Sequence, residues 1–321
     1  MTAGSARSWF GLTAETRSCT PSRKSAASAS CWRKTEKAGG GVMRKLEWNQ
    51  FGIMNMNYLF YTLDYFLDAA RDMGMQNINL WTANPHVHLD DATDDEFRAI
   101  GKKISDRGLH CFCVCPEQVV YPFNIAAEDE MIRSRSIASL KRAIDLCEIL
   151  DTPLLHLCPG WGFYDQPDGL KRAWDLARDA MIEVGRAAAP RGITLALEPL
   201  QIVESNLVGD IPSAKRMLDE VNLPNVKLLV DTCHMAVKGE NLDDYFNTFG
   251  RDIVHIHLNE SGQVPWGYGN LPLDTYISQL EQHDFSGSIT LEVCSRKYYI
   301  DPNPTIAHGV ETVQGALARA Q

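Results

Sequence analysis

Four short segments in the C-terminal half of the chain each end an apolar run with ionisable residues: Leu195-Ala-Leu-Glu198, Leu228-Leu-Val-Asp231-Thr-Cys-His234, His255-Ile-His257 and Thr290-Leu-Glu292. In each run Glu198, Asp231, His257 or Glu292 has one parity and the large aliphatic residues have the other: Leu195 and Leu197, Leu228 and Val230, Val254 and Ile256, Leu291 and Val293. Such alternation is typical of the two faces of a β-strand. We therefore expect three carboxylates and one imidazole to share the inner face of a sheet, where buried like charges need a cation.

The predicted ligands are mostly hard oxygen donors. Carboxylates with one imidazole suit Mn²⁺, Mg²⁺ or Co²⁺ better than an ion that prefers thiolates. We predict a divalent metal on Glu198, Asp231, His257 and Glu292, with Mn²⁺ as the first choice. His255 shares the inward parity of His257 one layer deeper, and we expect it to be a hydrogen-bonded interior histidine.

Strand-like and helix-like segments alternate from residue 43 onward. The predicted strands are 49–54, 76–81, 109–115, 152–158, 193–198, 227–231, 252–258 and 288–293. The predicted helices are about 60–73, 94–107, 130–150, 167–189, 211–221, 242–249, 272–284 and 304–319. Eight β/α units without a Gly-rich dinucleotide fingerprint favour an α/β fold, a closed (β/α)8 TIM barrel, over an open sheet. The four ionisable positions then lie at the C-terminal strand ends, where barrel enzymes keep their active sites.

Composition and charge exclude several classes of protein. The 321 residues carry a formal charge of −10, and because residues 1–42 hold seven Lys/Arg and two Asp/Glu, residues 43–321 carry −15. An acidic body argues against binding nucleic acid, and no apolar run approaches the roughly 20 residues that cross a bilayer. The seven cysteines beyond residue 42 lie mostly in strand-like runs, which predicts reduced thiols and a cytoplasmic location. Alternation in Cys111-Phe-Cys-Val-Cys115 predicts packing on one strand face.

Residues 1–42 differ from the rest of the chain. They are rich in Ser, Ala, Thr, Arg and Gly and end in Gly39-Gly-Gly41 just before Met43. We expect this segment to be a disordered or non-native extension, with Met43 as the natural start. Residues 43–321 are predicted to form a single barrel domain.

Several spacings match a known family. Glu198 is followed six residues later by Glu204, Asp231 is followed by His234 in Asp-x-x-His, His257 ends His-x-His, and Glu292 ends the last strand. In these features residues 45–320 resemble the sugar isomerases and epimerases with a xylose isomerase-like barrel. Within that group the sequence is similar to the ketose 3-epimerases that act on psicose and tagatose.

A further set of motifs resembles the fructoselysine 3-epimerase branch: Trp81 with Pro85-His86, Pro116-Glu117, Tyr121-Pro-Phe-Asn124, Leu197-Glu-Pro-Leu200, Glu204-Ser-Asn-Leu-Val208 and Gly267-Tyr-Gly-Asn-Leu-Pro-Leu273. Two positions depart from the patterns. Gln263 stands where the psicose type has a substrate-binding Arg, and Tyr268 stands where the fructoselysine type has a Glu. The substrate is therefore expected to differ from both.

The resemblance implies a reaction in carbohydrate metabolism. A base would remove the proton from a carbon beside the carbonyl of a ketose or ketose derivative, through an enediolate that the metal stabilises, and an acid would return a proton to the opposite face. Glu198 and Glu292 fit these two catalytic roles. Glu204 and His234 would hydrogen-bond the sugar, with His234 an alternative fifth metal ligand. Trp81, His86, Glu117 and Trp161 lie on predicted loops where a pocket wall would be.

Three other functions stay open at this point. Catalytic subunits of metal-dependent C-glycoside deglycosidases have similar barrels, act on 3-oxo-sugar glycosides and work with a small β-rich partner. Asp231-Thr-Cys-His234 also resembles the endonuclease IV group of DNA-repair enzymes, although the His-Pro-Gly of that group reads Cys158-Pro-Gly160 here. The third is a barrel that binds sugar without turnover. The main resemblance implies a homo-oligomer, either a dimer or a tetramer.

Overall fold

The computed structural model describes residues 44–119 and 122–320. Its centre is a closed barrel of parallel strands in sequence order, with the eighth strand paired to the first. The strands are β1 Phe51–Met54, β2 Asn77–Thr82, β3 His110–Pro116, β4 Leu154–Leu157, β5 Thr194–Leu197, β6 Val226–Asp231, β7 Ile253–His257 and β8 Ser288–Leu291. The predicted (β/α)8 barrel is confirmed.

Helices connect each strand to the next. They are α1 Leu63–Asp72, α2 Asp94–Ser105, α3 Glu130–Leu150, α4 Gly169–Ala188, α5 Ile211–Val221, α6 Thr232–Lys238, α7 Leu242–Phe249, α8 Leu273–Gln282 and α9 Pro302–Ala320. Short 3-10 helices lie at Trp48–Gln50, Met56–Tyr58, Ala189–Arg191, Gly250–Asp252, Ser261–Gln263 and Arg296–Tyr298.

Capping residues explain where several helices begin. The Thr93 side chain accepts a hydrogen bond from the backbone N–H of Glu96, whose carboxylate accepts one in return, a capping box at the start of α2. Asp210 and Ser213 form a second capping box at the start of α5, and the Asp129 side chain accepts hydrogen bonds from two backbone N–H groups at the start of α3. These local signals explain why the predicted bounds of α3 and α5 match the structure.

Each face of the barrel sheet packs against its own hydrophobic cluster. Alternate strand residues such as Ile78, Leu80 and Leu155 pack outward against the helices. A small inner cluster of Phe112, Cys113 and Leu154 fills the barrel interior, and the Phe112 ring packs so close to Gly52 that a Cβ there would lie 2.6 Å from it. Only glycine therefore fits at this position.

Irregular pairing interrupts the strict alternation that the sequence predicts. The register shifts between β2 and β3 and again between β6 and β7. As a result Cys111 packs in the outer core whereas Cys113 joins the inner cluster, and Val254 also packs against that cluster. The predictions that the three cysteines of β3 share one face and that Val254 faces outward are wrong for this reason.

The segment before the barrel, residues 1–42, lies outside the described residues together with Met43, so its predicted disorder and the natural start stay predictions. Among the helices that the structure does describe, none combines the length and the apolar character needed to cross a membrane.

Candidate active site

The four predicted ligands lie together at the C-terminal ends of their strands. Asp231 and His257 end β6 and β7, while Glu198 and Glu292 directly follow β5 and β8. All four are buried. His257 Nδ1 lies 3.1 Å from Glu198 Oε1 and 3.4 Å from Glu292 Oε2. Two carboxylates from non-adjacent strands therefore converge on one imidazole nitrogen.

Asp231 is held by the helix that follows it. As the N-cap of α6, its Oδ1 accepts hydrogen bonds from the backbone N–H groups of Cys233 at 2.7 Å and His234 at 2.8 Å. Its Oδ2 accepts a hydrogen bond from Asn259 Nδ2, which also donates to Glu292 Oε2 at 2.7 Å. Asn259 thus ties two of the carboxylates together.

Buried polar atoms without hydrogen-bond partners indicate whether these residues could bind a cation. His257 Nδ1 and Glu198 Oε1 are both buried without a hydrogen-bond partner, because the short distance between them does not have hydrogen-bond geometry. The ligand atoms of Asp231, His257 and Glu292 lie within 4.8 Å of one another, as do those of Glu198, Asp231 and His234. Buried polar atoms are normally satisfied, so this cluster has the composition and spacing of a divalent cation site.

The charges of the site depend on His257. Burial lowers the pKa of His257, but Glu292 and Glu198 outweigh burial and raise it well above its usual range. Burial raises the pKa of Glu198, yet the imidazoles of His257 and His156 hold it well below the ordinary value. The pKa of Glu292 is also lowered, since His257 outweighs burial. Glu198 and Glu292 are therefore carboxylates, the form in which they can accept a proton.

Among the three carboxylates of the cluster, Asp231 is the one whose negative charge is disfavoured. Burial, reinforced by Glu198 and Glu292, raises the pKa of Asp231 to about 7. One imidazolium cannot balance three buried carboxylates. A divalent cation would supply the missing positive charge, and its binding would release the imidazole proton so that His257 is a neutral ligand.

Glu204 and His234 form a pair next to this cluster. Glu204 Oε2 lies 3.3 Å from His234 Nε2, and the Glu204 side chain keeps 24% of its surface exposed. Burial raises the pKa of Glu204 to about 7. His234 Nδ1 is buried without a hydrogen-bond partner. The pair can therefore offer both a donor and an acceptor to a polar ligand that enters from the open side.

The predicted pocket-wall residues Trp81, Glu117 and Trp161 lie at the C-terminal ends of β2, β3 and β4. Trp81 shares the inward face of Asn79, whose amide nitrogen lies 3.3 Å from His257 Nε2. Glu117 follows β3, and its Oε1 accepts a hydrogen bond from the backbone N–H of Val119. Trp161 is partly exposed and packs edge-on against Phe163. Their contact with a substrate stays a prediction, and Tyr121 of the same loops lies outside the described residues.

His86, whose predicted contact with substrate stays a prediction, has both ring nitrogens engaged within the protein. Its Nδ1 lies 2.7 Å from the side-chain amide nitrogen of Asn55, and its Nε2 lies 2.9 Å from the carbonyl oxygen of Tyr61. Both ring nitrogens are thus engaged by the connection that follows β1. Burial lowers the pKa of His86, which agrees with a neutral imidazole that holds two connections together.

Residues that the sequence reading missed also contact the cluster. His156 on β4 lies 2.7 Å from Glu198, and Asn259 and Asn79 approach from β7 and β2. The parity of His156 was a usable signal, because Leu155 and Leu157 on either side of it pack outward. The asparagines carry no charge and gave no comparable signal.

His255 behaves as the sequence predicts. It is fully buried, its Nδ1 lies 2.6 Å from Ser288 Oγ and its Nε2 lies 2.9 Å from Thr290 Oγ1. Burial, with His257 nearby, lowers the pKa of His255 well below its usual range. This histidine is neutral and satisfied by hydroxyl groups.

Sequence comparison finds relatives that are named as sugar 3-epimerases. A fructoselysine 3-epimerase of Shigella flexneri is 24% identical over 272 residues, which cover 83% of this chain and 97% of the relative. A D-psicose 3-epimerase of Agrobacterium fabrum is 25% identical over 214 residues, 64% of this chain and 71% of the relative. Both relatives align with more than half of this chain.

Solved structures share the fold. The apo form of a 3-keto-D-glucoside 4-epimerase from E. coli superposes with a TM-score of 0.71 at 16% identity and covers 83% of this chain and 99% of its own. A D-psicose 3-epimerase solved in the presence of D-fructose gives a TM-score of 0.69 at 21% identity, covering 84% and 97%. The family model described as a xylose isomerase-like TIM barrel matches residues 67–315, and the chain belongs to that family.

Proposed function

We propose that this protein is a divalent-cation-dependent sugar epimerase that inverts the carbon next to the carbonyl of a ketose or ketose derivative, most simply at C3. Relatives named as fructoselysine and psicose 3-epimerases support this reaction class. A relative named 3-dehydro-D-guloside 4-epimerase, at 24% identity over 140 residues, supports proton transfer beside a sugar carbonyl more generally.

One observation carries the proposal. Glu198 and Glu292, from β5 and β8, both approach His257 Nδ1, at 3.1 and 3.4 Å. Their strands are separated around the barrel by β6 and β7. Epimerisation needs one group to remove a proton and another to return it on the opposite face. Two buried carboxylates that reach one point from different strands meet that need.

The remaining residues support the proton transfer. The lowered pKa values of Glu198 and Glu292 keep both groups ready to accept a proton, and burial excludes competing water. Glu204 and His234 would hydrogen-bond the sugar oxygens near the reacting carbon. A divalent cation held by Glu198, Asp231, His257 and Glu292 would polarise the carbonyl and make the neighbouring C–H more acidic. We propose Mn²⁺, with Mg²⁺ or Co²⁺ as alternatives.

The sugar itself is expected to differ from psicose and fructoselysine. Gln263 has a left-handed backbone, with φ 53°, and its carbonyl oxygen accepts hydrogen bonds from the N–H groups of Cys294 and Ser295. Its place is thus fixed by the backbone of the β8 connection. Tyr268 is half-exposed and packs against Tyr298 and His308. Neither offers the charge that the two resembling types place there. A homo-oligomeric state and a cytoplasmic location stay predictions.

Deuterium incorporation tests the proposed function. The purified protein would be incubated in D₂O with Mn²⁺ and a panel of ketoses and 3-oxo-glycosides, and exchange at the carbon beside the carbonyl would be followed by NMR. We expect exchange and formation of the epimer for at least one sugar, with loss of both after EDTA treatment. Absence of exchange across the whole panel would contradict the proposal, and release of an aglycone in place of an epimer would replace epimerisation with elimination.

A further inference from the structure

His156 contacts Glu198, one of the two proposed proton carriers, at the carboxylate oxygen that does not face His257. It lies on β4 between the outward-facing Leu155 and Leu157, is 5% exposed, and places its Nε2 2.7 Å from Glu198 Oε2. Its ring lies beside that of His257, with the centroids 5.5 Å apart. The other oxygen of Glu198, Oε1, has no hydrogen-bond partner and points at His257. The two oxygens of this carboxylate therefore have different surroundings.

A buried thiol sets the orientation of the His156 ring. Cys115 Sγ lies 2.9 Å from His156 Nδ1. Burial raises the pKa of Cys115 well above its usual range, so the group is a thiol and its S–H donates to Nδ1. With Nδ1 engaged by the thiol, the Nε2–H donates to Glu198 Oε2. Metal-binding residues are commonly oriented by a partner of this kind.

We propose that His156 is a positioning residue: it binds Glu198 Oε2 and thereby fixes Oε1 toward the cation and the substrate. This inference rests on the proposed function. Glu292, the other carboxylate, is held instead by the Asn259 amide, which it shares with Asp231. Apart from His257, which lies against both, the two carboxylates thus have different supports: an imidazole for Glu198 and an amide for Glu292.

The same side chains admit a rival arrangement. The ligand atoms of His156, Cys158 and Glu198 lie within 4.8 Å of one another, which is close enough for a second cation. Two nitrogen or oxygen ligands of one tetrahedral zinc, each at about 2.0–2.1 Å, would lie about 3.3 Å apart. The distance of 2.7 Å between Nε2 and Oε2 is instead that of a charge-assisted hydrogen bond. The geometry therefore favours one cation and a hydrogen bond.

Two matched substitutions separate positioning from packing. In His156→Gln the side-chain amide nitrogen reaches about as far as Nε2 and can still donate to Glu198. In His156→Asn the amide nitrogen takes the place of Nδ1 and falls short. Both variants remove the imidazole and keep a polar amide, so a purely structural role predicts similar losses in melting temperature and in Mn²⁺ binding for the two.

The test is an equilibrium titration of the metal-free protein with Mn²⁺, read by electron paramagnetic resonance, together with melting temperatures. We expect one Mn²⁺ per chain in the wild type and in Cys158→Ser, a dissociation constant within threefold of wild type for His156→Gln, and one about 10–100-fold weaker for His156→Asn. Equal affinity in His156→Asn and wild type, equal loss in both His156 variants, or two Mn²⁺ per chain with one lost in Cys158→Ser would overturn the inference.

The titration needs no sugar, so it is independent of the substrate panel. If the wild type binds Mn²⁺ but exchanges deuterium with no sugar, the proposed reaction fails while the role of His156 is still decided. If the wild type binds no Mn²⁺, the cation site and the role of His156 fail together.

Discussion

His255 and His257 are two residues apart on β7 and face the same interior, yet their surroundings are opposite. Both nitrogens of His255 meet hydroxyl groups, from Ser288 and Thr290, and burial lowers its pKa. His257 Nδ1 meets two carboxylates without a hydrogen bond, and its pKa is raised. The polar atoms in the layer of His255 are satisfied by protein hydrogen bonds, whereas the layer of His257 has buried polar atoms that lack a partner.

Within the single strand β7, one histidine therefore stabilises the fold and the other belongs to the candidate active site. In the deeper layer, His255 packs edge-on against Phe112, and its hydrogen bonds join β7 to β8. In the upper layer, like charges are buried together, which is costly unless a cation offsets them. Barrel enzymes show this division between the N-terminal and C-terminal ends of their strands.

The largest effect is expected from the two carboxylates that we propose as proton carriers. Glu198→Gln or Glu292→Gln should lower the rate of deuterium exchange by about 10²–10⁴-fold, because an amide cannot accept the proton. Glu281→Gln is the matched control, since Glu281 is also buried but binds Lys45 and the backbone N–H of Leu46. Exchange that survives in both active-site variants would remove the proposed roles of these carboxylates.

The two histidines of β7 provide the second test. His257→Gln should weaken Mn²⁺ binding by more than the 10–100-fold typical of outer partners, because a direct ligand is lost. His255→Gln should leave Mn²⁺ affinity unchanged but lower the free energy of unfolding by about 1–3 kcal/mol, since buried hydroxyl groups lose a partner. Calorimetric titration and chemical denaturation measure the two quantities. Similar losses of affinity in both variants would erase the distinction between the layers.

Cation binding should also stabilise the fold. With free Mn²⁺ at 100 times its dissociation constant, the free energy of unfolding should rise by about 2.7 kcal/mol relative to the EDTA-treated protein. We expect His255→Gln to keep this gain and His257→Gln to lose most of it. Thermal melts with and without Mn²⁺ measure the gain, and an equal gain in both variants would place the binding elsewhere.

The smallest effect is expected at His86. His86→Gln should cost about 1 kcal/mol of stability, because it disturbs contacts with Asn55 and Tyr61, and should leave deuterium exchange unchanged. Denaturation and exchange rates check both parts. A large fall in exchange with unchanged stability would contradict this expectation and support the substrate-binding role that the sequence predicts.

The sequence was informative where local pattern determines structure. Parity along β5 to β8 located Glu198, Asp231, His257 and Glu292, and the predicted bounds of α3 and α5 match the structure. Prediction from the sequence failed where the partners of a side chain come from distant segments. The burial of His86 depends on Asn55, 31 residues away, and the support of Glu198 by His156 crosses between strands. The inward turn of Val254 depends on a register shift that no local pattern announces.

We propose above all that the layer of unsatisfied buried polar atoms around His257 is a cation site. Crystals grown with Mn²⁺ and measured at the manganese absorption edge test it directly. We expect one anomalous peak within ligand distance of Glu198, Asp231, His257 and Glu292. A fully bound protein with its peak elsewhere, or no peak at saturating Mn²⁺, would contradict it.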